Sequence, residues 1–261
     1  MGIINVTPDS FSDGGRYSST KAAFDYAKKM VEEGADILDI GGESTRPGAS
    51  KVSEEEEISR VLPLISRIRT VYNNILISID TTKSNVARAA LNAGANIIND
   101  ISGLTMDPLM VKVAVEFNVP IVIMHMKGNP QNMQNRPSYK DIISEITAFF
   151  DKQVKRALDA GIDKNNIILD PGIGFGKTVD HNFLLLQKLR KFCEFGYPIL
   201  IGPSRKSFLG LTLNLDVDER IEGTSAAVTA GILNGARIVR VHDVKIMKRV
   251  STIADKIRST T

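Results

Sequence analysis

Short apolar segments recur along the chain, and each is followed by a polar turn and then by a helical pattern. The segments are rich in Ile and Val, which is typical of parallel strands buried on both faces. Their predicted positions are residues 2–4, 36–40, 75–79, 97–98, 120–124, 167–169, 198–201 and 238–241. The pattern therefore predicts eight strands that alternate with helices.

The segments between these strands have the periodicity and the end signals of amphipathic helices. In the first segment, Phe24 and Met30 fall on one helical face. Ser53 precedes the second helix and Glu56 follows three residues later, which predicts a capping box. Asp107, followed by a proline, is predicted as the N-cap of the fourth helix.

Eight strand–helix units in 261 residues, without a linker or a change in composition, predict one α/β domain over residues 1–261. This is the size of a single (β/α)8 TIM barrel. An open doubly wound sheet would also alternate strands and helices, but it requires a glycine-rich phosphate loop after its first strand. The segment there reads NVTPDSFSDGG, which lacks the G-x-G-x-x-G spacing.

Composition narrows the class of protein further. With 43% hydrophobic and 24% charged residues, the chain differs from disordered, collagenous and membrane proteins. A formal net charge of +3 is too small to indicate binding to nucleic acid or membranes. The single cysteine, Cys193, permits no intrachain disulfide and fits a reducing compartment. With no signal-peptide pattern at the N-terminus, we expect a cytoplasmic protein.

Polar residues follow all eight predicted strands, at the barrel face where TIM-barrel active sites are built. They are Asn5, residues 41–48, Asp80, Asn99 with Asp100, His125, Asp170, residues 204–207, and Arg240 with His242. A single Asp or Asn in such a place is as often the N-cap of the next helix as it is a functional residue. Asp80 could cap a helix beginning near Lys83, and His125 could equally be a core histidine.

Cationic residues make the most specific pattern at this predicted rim. Arg240 and His242 lie two apart on a strand, so both side chains point the same way and predict a cationic pair in the barrel mouth. Arg205 and Lys206 directly follow a buried strand. With Arg46 and Asn5, these groups predict a donor-rich, electropositive patch suited to phosphate or pyrophosphate.

Side chains that accept hydrogen bonds lie at the same predicted rim, and they indicate the chemistry of a second part of the ligand. Asp80, Asn99 and Asp170 together suit a ligand with several N–H donors, such as the edge of an aminopyrimidine. A buried carboxylate is costly without such a partner. The residues alone therefore predict an enzyme for a small ligand that is partly phosphorylated and partly rich in N–H groups.

The rim segments, taken in order, also carry a family resemblance. They read MGIINVTPDSFSDGG, GGESTRPGA, SIDTTK, IINDISG, MHMKGNP, LDPGIGFGK, GPSRKSFLG and RVHDV. Together they resemble the dihydropteroate synthase family of folate biosynthesis, over essentially the whole chain. The resemblance implies a pterin-binding transferase that condenses 6-hydroxymethyl-7,8-dihydropterin pyrophosphate with 4-aminobenzoate, giving 7,8-dihydropteroate and pyrophosphate.

The resemblance also implies roles for matching positions. The implied pterin-binding residues are Asp80, Asn99, Ile101, Met124, Asp170, Lys206 and Arg240. The implied pyrophosphate-binding residues are Asn5, Thr45, Arg46, Arg240 and His242. The implied 4-aminobenzoate pocket comprises Phe11, Pro47, Phe175, Lys206 and Ser207. Mg²⁺ is implied near Asn5 and Asp13, and the implied catalytic residues are Asp80, Lys206, Arg240 and His242.

Two further expectations follow from the implied reaction. Ionisation of the pterin methylene before attack is expected, with Asp80 near the developing cation and with residues 7–15 as a lid that excludes water.

The competing interpretations of the function are a methyltetrahydrofolate methyltransferase-like pterin barrel and a catalytically inactive pterin-binding barrel. Residues 223–236 are short of charge for an outer helix, which fits either tight packing against the barrel or, as the family suggests, the face of a homodimer. Family members usually carry a lead-in segment before the first strand.

Overall fold

Eight strands form the centre of the computed structural model, which describes residues 1–7, 15–44, 48–49 and 51–260. They are β1 (Gly2–Asn5), β2 (Ile37–Gly41), β3 (Leu76–Asp80), β4 (Ile97–Asp100), β5 (Ile121–Met124), β6 (Ile167–Asp170), β7 (Leu200–Ile201) and β8 (Ile238–Val239). Each overlaps a strand predicted from the sequence, so the predicted strand positions are confirmed.

All strand pairs are parallel, and the strands close into a ring. β1 to β6 pair in chain order, and β7 pairs with β8. Two isolated parallel bridges, Leu169 with Ile199 and Gly2 with Val241, join these two groups on both sides. The Ile3 amide donates to the Val241 carbonyl at 3.0 Å. The predicted single (β/α)8 barrel is therefore confirmed.

Helices follow the strands on the outside of the ring. They are α1 (Gly15–Glu32), α2 (Glu54–Val71), α3 (Ser84–Asn92), α4 (Met110–Phe117), α5 (Ile142–Asp159), α6 (Val179–Gln187), α7 (Arg190–Cys193), α8 (Ser207–Leu213), α9 (Ile221–Leu233) and α10 (Val244–Ser259). Within the described residues, no helix combines the length and the apolar character that crossing a bilayer requires.

The start of α2 only half fulfils the predicted capping box. Ser53 Oγ accepts a hydrogen bond from the Glu56 amide at 3.2 Å, as expected of an N-cap. The Glu56 carboxylate, however, bonds to the Arg60 guanidinium one turn further along the helix. An i,i+4 ion pair has replaced the reciprocal half of the box.

The N-cap prediction for Asp107 holds only in part. α4 begins later than predicted, at Met110, with Leu109 at the N-cap position. The Asp107 carboxylate accepts from the Leu109 amide at 2.8 Å, and it also accepts from the amide of Ser84, the first residue of α3, at 2.7 Å. The carboxylate of Asp80, the other predicted cap of α3, is bonded to Arg240 Nη2 at 2.6 Å.

The two-residue period of the strands sorts the barrel interior into layers. A lower apolar layer contains Met1, Ile97, Val122, Ile168 and Leu200, with Ile37 and Ile238 packed against it. Two positions further along the same strands, the inward residues are Asp39, Asn99, Met124, Asp170 and Arg240. The strands therefore deliver a mostly polar ring to the carboxyl-terminal face, above an apolar plug.

Candidate active site at the barrel mouth

Arg240 connects two buried carboxylates at the centre of the mouth. Its Nε lies 2.6 Å from Asp39 Oδ2, and its Nη2 lies 2.6 Å from Asp80 Oδ2. Asn99 Nδ2 donates to Asp39 Oδ2 at 3.2 Å. Asp39 is fully buried and Asp80 is 7% exposed, so water screens these contacts poorly. The network fixes the guanidinium in one orientation.

Asp39 was not among the residues singled out from the sequence. A signal was present, because a charged residue within a strand buried on both faces requires a partner. Its partner, Arg240, lies 201 residues away and could not be identified without the closed barrel.

Burial raises the pKa of Asp80 well above its usual range. The Arg240 guanidinium opposes this shift, and the nearby Asp39 carboxylate adds to it. A carboxylate in such surroundings gains considerably when a ligand brings N–H donors or positive charge to it. Perturbed acids in a cleft are typical of functional sites.

Asp170 and Lys206 supply an acid and a base to the same mouth. Burial raises the pKa of Asp170 to about 6, although its Oδ1 accepts from the Gly172 amide at 2.7 Å. Burial and the neighbouring Arg240 lower the pKa of Lys206 to about 8. Lys206 Nζ lies 4.0 Å from the centre of the Phe175 ring, in a cation–π contact.

One wall of the mouth is apolar. Ile101, Met124, Met133 and Phe175 form a separate buried cluster, with Met126 packed against it. Flat, polarisable and apolar side chains of this kind suit the faces of a heterocycle, whereas the polar ring suits its edge. Three of the four were predicted from the family resemblance as site residues, and Met133 was not.

His125 is buried beside a lysine that the sequence analysis did not select. Lys177 Nζ lies 3.2 Å from His125 Nδ1, and it donates to the His125 and Phe175 carbonyls at 3.3 and 2.8 Å. Burial, together with Lys177, lowers the pKa of His125 to about 3, so the imidazole is neutral. His125 is thus a satisfied core histidine, and Lys177 links the loops that follow β5 and β6.

The predicted cationic patch differs from what the described residues form. Burial lowers the pKa of His242 to about 4, so at neutral pH the ring carries no charge. Arg240 keeps its charge but is paired with Asp39 and Asp80, and Arg205 is paired with Asp243 and Asp218. The prediction of a cationic Arg240–His242 pair was wrong, because the sequence does not show how strongly a residue is buried or which residue it pairs with.

The loop after β2 is fixed at its base. The Glu43 carboxylate accepts from the Val52 amide at 3.0 Å and from Lys83 Nζ at 2.7 Å. Lys83 also pairs with the fully buried Glu57 at 2.5 Å. A cleft of about 490 Å³, lined in part by Glu43, Lys83 and Asp80, opens beside this base.

Other predicted site residues lie at the rim or outside the described residues. Asn5 ends β1 beside Gly41 and is half-buried, and Ser207 is exposed at the first position of α8. The remaining predicted members lie outside the described residues: Phe11, Asp13, Thr45, Arg46 and Pro47. Among the described residues, no group of three or more His, Cys, Asp or Glu side chains could hold a metal ion.

The chain resembles known enzymes over nearly its whole length. Residues 1–242 match the model of the pterin binding enzyme family. The dihydropteroate synthase of Synechocystis sp. is 51% identical over 98% of this chain and 89% of its own length.

Two solved structures align over the whole chain. One is the Yersinia pestis dihydropteroate synthase in a sulfonamide complex, with TM-score 0.94, 43% identity and coverage of 100% of this chain and 94% of that one. The other is the Xanthomonas albilineans dihydropteroate synthase with 4-aminobenzoic acid, with TM-score 0.93, 42% identity and coverage of 100% and 93%. This chain belongs to the pterin binding enzyme family and, within it, to the dihydropteroate synthases.

Proposed function

We propose that this chain is a transferase that condenses 6-hydroxymethyl-7,8-dihydropterin pyrophosphate with 4-aminobenzoate, releasing 7,8-dihydropteroate and pyrophosphate. The observation that carries the proposal is the polar ring above an apolar plug, in which buried Asp80, Asn99 and Asp170 lie beside half-buried Lys206 and Arg240. Relatives with the same fold are named for this activity, and one of them was solved with 4-aminobenzoic acid.

The pterin binds by its edge to the polar ring in this proposal. Asp80, Asn99 and Asp170 accept hydrogen bonds from the amino and ring N–H groups of the pyrimidine half. Lys206 donates to its carbonyl side. Burial already disfavours the free carboxylates of Asp80 and Asp170, so N–H donors from the ligand relieve an existing cost. Arg240 contacts a ring face, and Ile101 with Met124 lines the pocket.

The leaving pyrophosphate is held at the rim by N–H and O–H donors. His242 is neutral and its Nδ1 lies 3.0 Å from Ser204 Oγ. In the tautomer in which Ser204 donates to Nδ1, the proton is on Nε2, which then donates to a phosphate oxygen. Thr45 and Arg46, on the loop anchored by Glu43, complete this subsite with Arg240 and Asn5.

Mg²⁺ fits the donor set proposed for this subsite. Asn5 offers an amide oxygen at the rim, and Asp13 offers a carboxylate; Mg²⁺ prefers oxygen ligands and is commonly held by one or two protein groups plus substrate phosphates. When bound there, the ion would neutralise charge on the departing pyrophosphate.

The reaction separates charge, and different protein groups stabilise the positive charge on the pterin and the negative charge on the pyrophosphate. As the carbon–oxygen bond to pyrophosphate breaks, the pterin methylene becomes cationic, and the carboxylate of Asp80 stabilises that charge. The arylamine of 4-aminobenzoate is neutral at pH 7 and attacks without a strong base, and the proton it loses after the C–N bond forms passes to solvent or to the released pyrophosphate. Phe11, Pro47, Phe175, Lys206 and Ser207 form its pocket. The loops at 7–15 and 42–51 exclude water from the cation.

A homodimer is part of the proposal. α6, α8 and α9 border an apolar groove of about 390 Å³, lined by Phe183, Leu186, Leu209, Leu213, Ala227 and Ala230 among others. Leu213 and Phe183 are 46% and 41% exposed. Burying such side chains between two copies is favourable. Light scattering in solution should give twice the monomer mass. We also place the protein in the cytoplasm, which its single Cys193 fits.

A reconstituted assay tests the function. Purified protein is incubated with dihydropterin pyrophosphate, 4-aminobenzoate and Mg²⁺, and dihydropteroate is identified by mass spectrometry alongside released pyrophosphate. Product should require all three components, and sulfonamides should compete with 4-aminobenzoate. No dihydropteroate under these conditions would reject the proposal, and noncompetitive inhibition would reject the assigned pocket.

A further inference from the structure

The loops after β7 and β8 are joined by two adjacent contacts, which we call the inter-loop clasp: Ser204 with His242, and Arg205 with Asp243. Ser204 Oγ lies 3.0 Å from His242 Nδ1 and accepts from the His242 amide at 3.1 Å. Arg205 Nε and Nη2 donate to the two Asp243 carboxylate oxygens at 3.0 and 2.7 Å. The first contact uses His242, which is part of the proposed pyrophosphate subsite. The second uses Arg205, which is adjacent in sequence to the proposed pterin-binding residue Lys206.

Arg205 has a backbone conformation that is uncommon for its residue type. Its φ is +57°, in the left-handed region that favours glycine. It is the third residue of a turn closed by the Lys206 amide and the Pro203 carbonyl at 3.3 Å, a position where glycine is usual when φ is positive. An arginine there is strained unless surrounding contacts hold it.

Such contacts surround Arg205 on its backbone as well as its side chain. Its amide donates to Oγ1 of the fully buried Thr224 at 3.2 Å, and its carbonyl accepts from Arg220 Nη1 at 3.0 Å. Glycine would fit the turn but could not form the bidentate ion pair with Asp243. The side chain of Arg205 therefore has a use that outweighs the strain.

The position of Lys206 depends on this turn. Arg205 points outward to Asp243 and Asp218, and the next residue, Lys206, points into the mouth, where its Nζ lies over Phe175. Through the clasp, the loop carrying Lys206 is held against the loop that carries His242 and follows Arg240. We propose that Arg205 is a positioning residue that holds Lys206 in place for the condensation, a role that rests on the proposed function.

A merely structural ion pair would be the simpler account, because exposed ion pairs contribute little. Two features distinguish the Arg205–Asp243 pair from an exposed ion pair: it is bidentate, and its side chains are only 27% and 16% exposed. Arg205 Nη1 also pairs with Asp218, which is 82% exposed. Removing the Asp218 carboxylate is therefore a matched control for the loss of one surface contact.

The test compares variants in two backgrounds. Arg205→Asn removes the guanidinium, and Asn tolerates the left-handed conformation. It should lower kcat/KM for dihydropterin pyrophosphate about tenfold in the wild-type background. In the Lys206→Ala background it should lower kcat/KM less than about twofold, because the effects of two substitutions are not additive when one residue acts through the other. Asp243→Asn should behave like Arg205→Asn and also serves if that variant does not fold. Asp218→Asn should stay within about twofold of its own parent protein in each background, wild type in one and Lys206→Ala in the other.

A second readout does not depend on catalysis. Lysine amines are labelled with ¹³C-methyl groups, and the Lys206 signal is assigned by its absence in Lys206→Arg. Its titration midpoint should move in Arg205→Asn and Asp243→Asn but not in Asp218→Asn. An unchanged midpoint overturns the inference, as does an equal loss of activity in both backgrounds. If the wild type makes no dihydropteroate, the proposed function fails, and the midpoints alone decide about Arg205.

Discussion

Arg240 Nε and Nη2 each lie 2.6 Å from a carboxylate oxygen, the first on Asp39 and the second on Asp80. Asp39 is fully buried and out of reach of a ligand, whereas Asp80 borders the mouth. The two carboxylates thus have different roles: Asp39 orients the guanidinium, and Asp80 faces the substrate.

Replacing Asp39 with Asn separates these tasks. The variant should lose about 3 kcal/mol of unfolding free energy, because a buried cation loses half of its compensation. Its kcat/KM for dihydropterin pyrophosphate should fall at least about tenfold. Urea unfolding and initial rates measure the two effects. Asp36→Asn is the control, since Asp36 is 74% exposed and pairs only at the surface with Lys248. Equal behaviour of the two variants would contradict the role of Asp39.

Truncating Lys206 tests the proposed donor to the pterin. Lys206→Ala should lower kcat/KM at least about tenfold, or about 1.4 kcal/mol of barrier, because the ligand loses a donor in a poorly screened site. Lys191→Ala, which removes an exposed lysine paired with the exposed Glu194, should leave the rate unchanged. Wild-type turnover in Lys206→Ala would remove this residue from the site.

The raised pKa of Asp170 predicts a pH dependence of pterin binding. A ligand with N–H donors requires the carboxylate form, which the free protein loses as the pH falls through about 6. The Kd of 6-hydroxymethylpterin, measured by calorimetry, should therefore rise below pH 6 towards about tenfold per pH unit. Asp170→Asn should bind more weakly at pH 7 and lose the part of this dependence that comes from Asp170, keeping the part that comes from Asp80. A pH-independent Kd in the wild type would contradict the assignment.

The same raised pKa has the opposite consequence for the ligand-free protein. A carboxyl group whose pKa is raised on folding contributes stability that is present below its unfolded pKa near 3.8 and is lost as the pH rises through about 6. From pH 4 to pH 7, Asp170→Asn should therefore become more stable relative to wild type. Urea unfolding of both proteins at the two pH values checks this, and a constant difference would refute it.

Lys177 should matter for stability and for the 4-aminobenzoate pocket together. Lys177→Met leaves His125 Nδ1 and two carbonyls without a donor, which should cost about 2–4 kcal/mol of unfolding free energy. Because one of these carbonyls belongs to Phe175, KM for 4-aminobenzoate should also rise. Lys188→Met, at an exposed position, is the control. Unchanged stability in Lys177→Met would show that the Lys177 amine is not needed to join the loops.

The sequence was sufficient for the barrel and for the rim, because both follow from local patterns. Strands buried on both faces produce the Ile- and Val-rich segments, and the residue after each strand must lie at the carboxyl-terminal face. Asp80, Asn99 and Asp170 were therefore found without a structure. Which charges remain free was beyond the sequence, because pairing joins residues as distant as Asp39 and Arg240.

Side-chain direction at turns was the other property that the sequence did not reveal. Arg205 was predicted to join Lys206 in a phosphate-binding patch, since the two are adjacent. The left-handed backbone at Arg205 turns its guanidinium towards Asp243 instead. Neither local propensity nor hydrophobic period indicates a positive φ at an arginine, because the contacts that hold it come from α9 and from the loop after β8.

The ring of polar groups at the barrel mouth is proposed to perform the condensation. The most direct test is the initial rate of dihydropteroate formation by the wild type, Asp170→Asn and Asp151→Asn, with Asp151 as an exposed control on α5. Wild type and Asp151→Asn should form product at equal rates, and Asp170→Asn should be at least about tenfold slower. Absence of product with the wild type, or an equal rate with Asp170→Asn, would contradict the account.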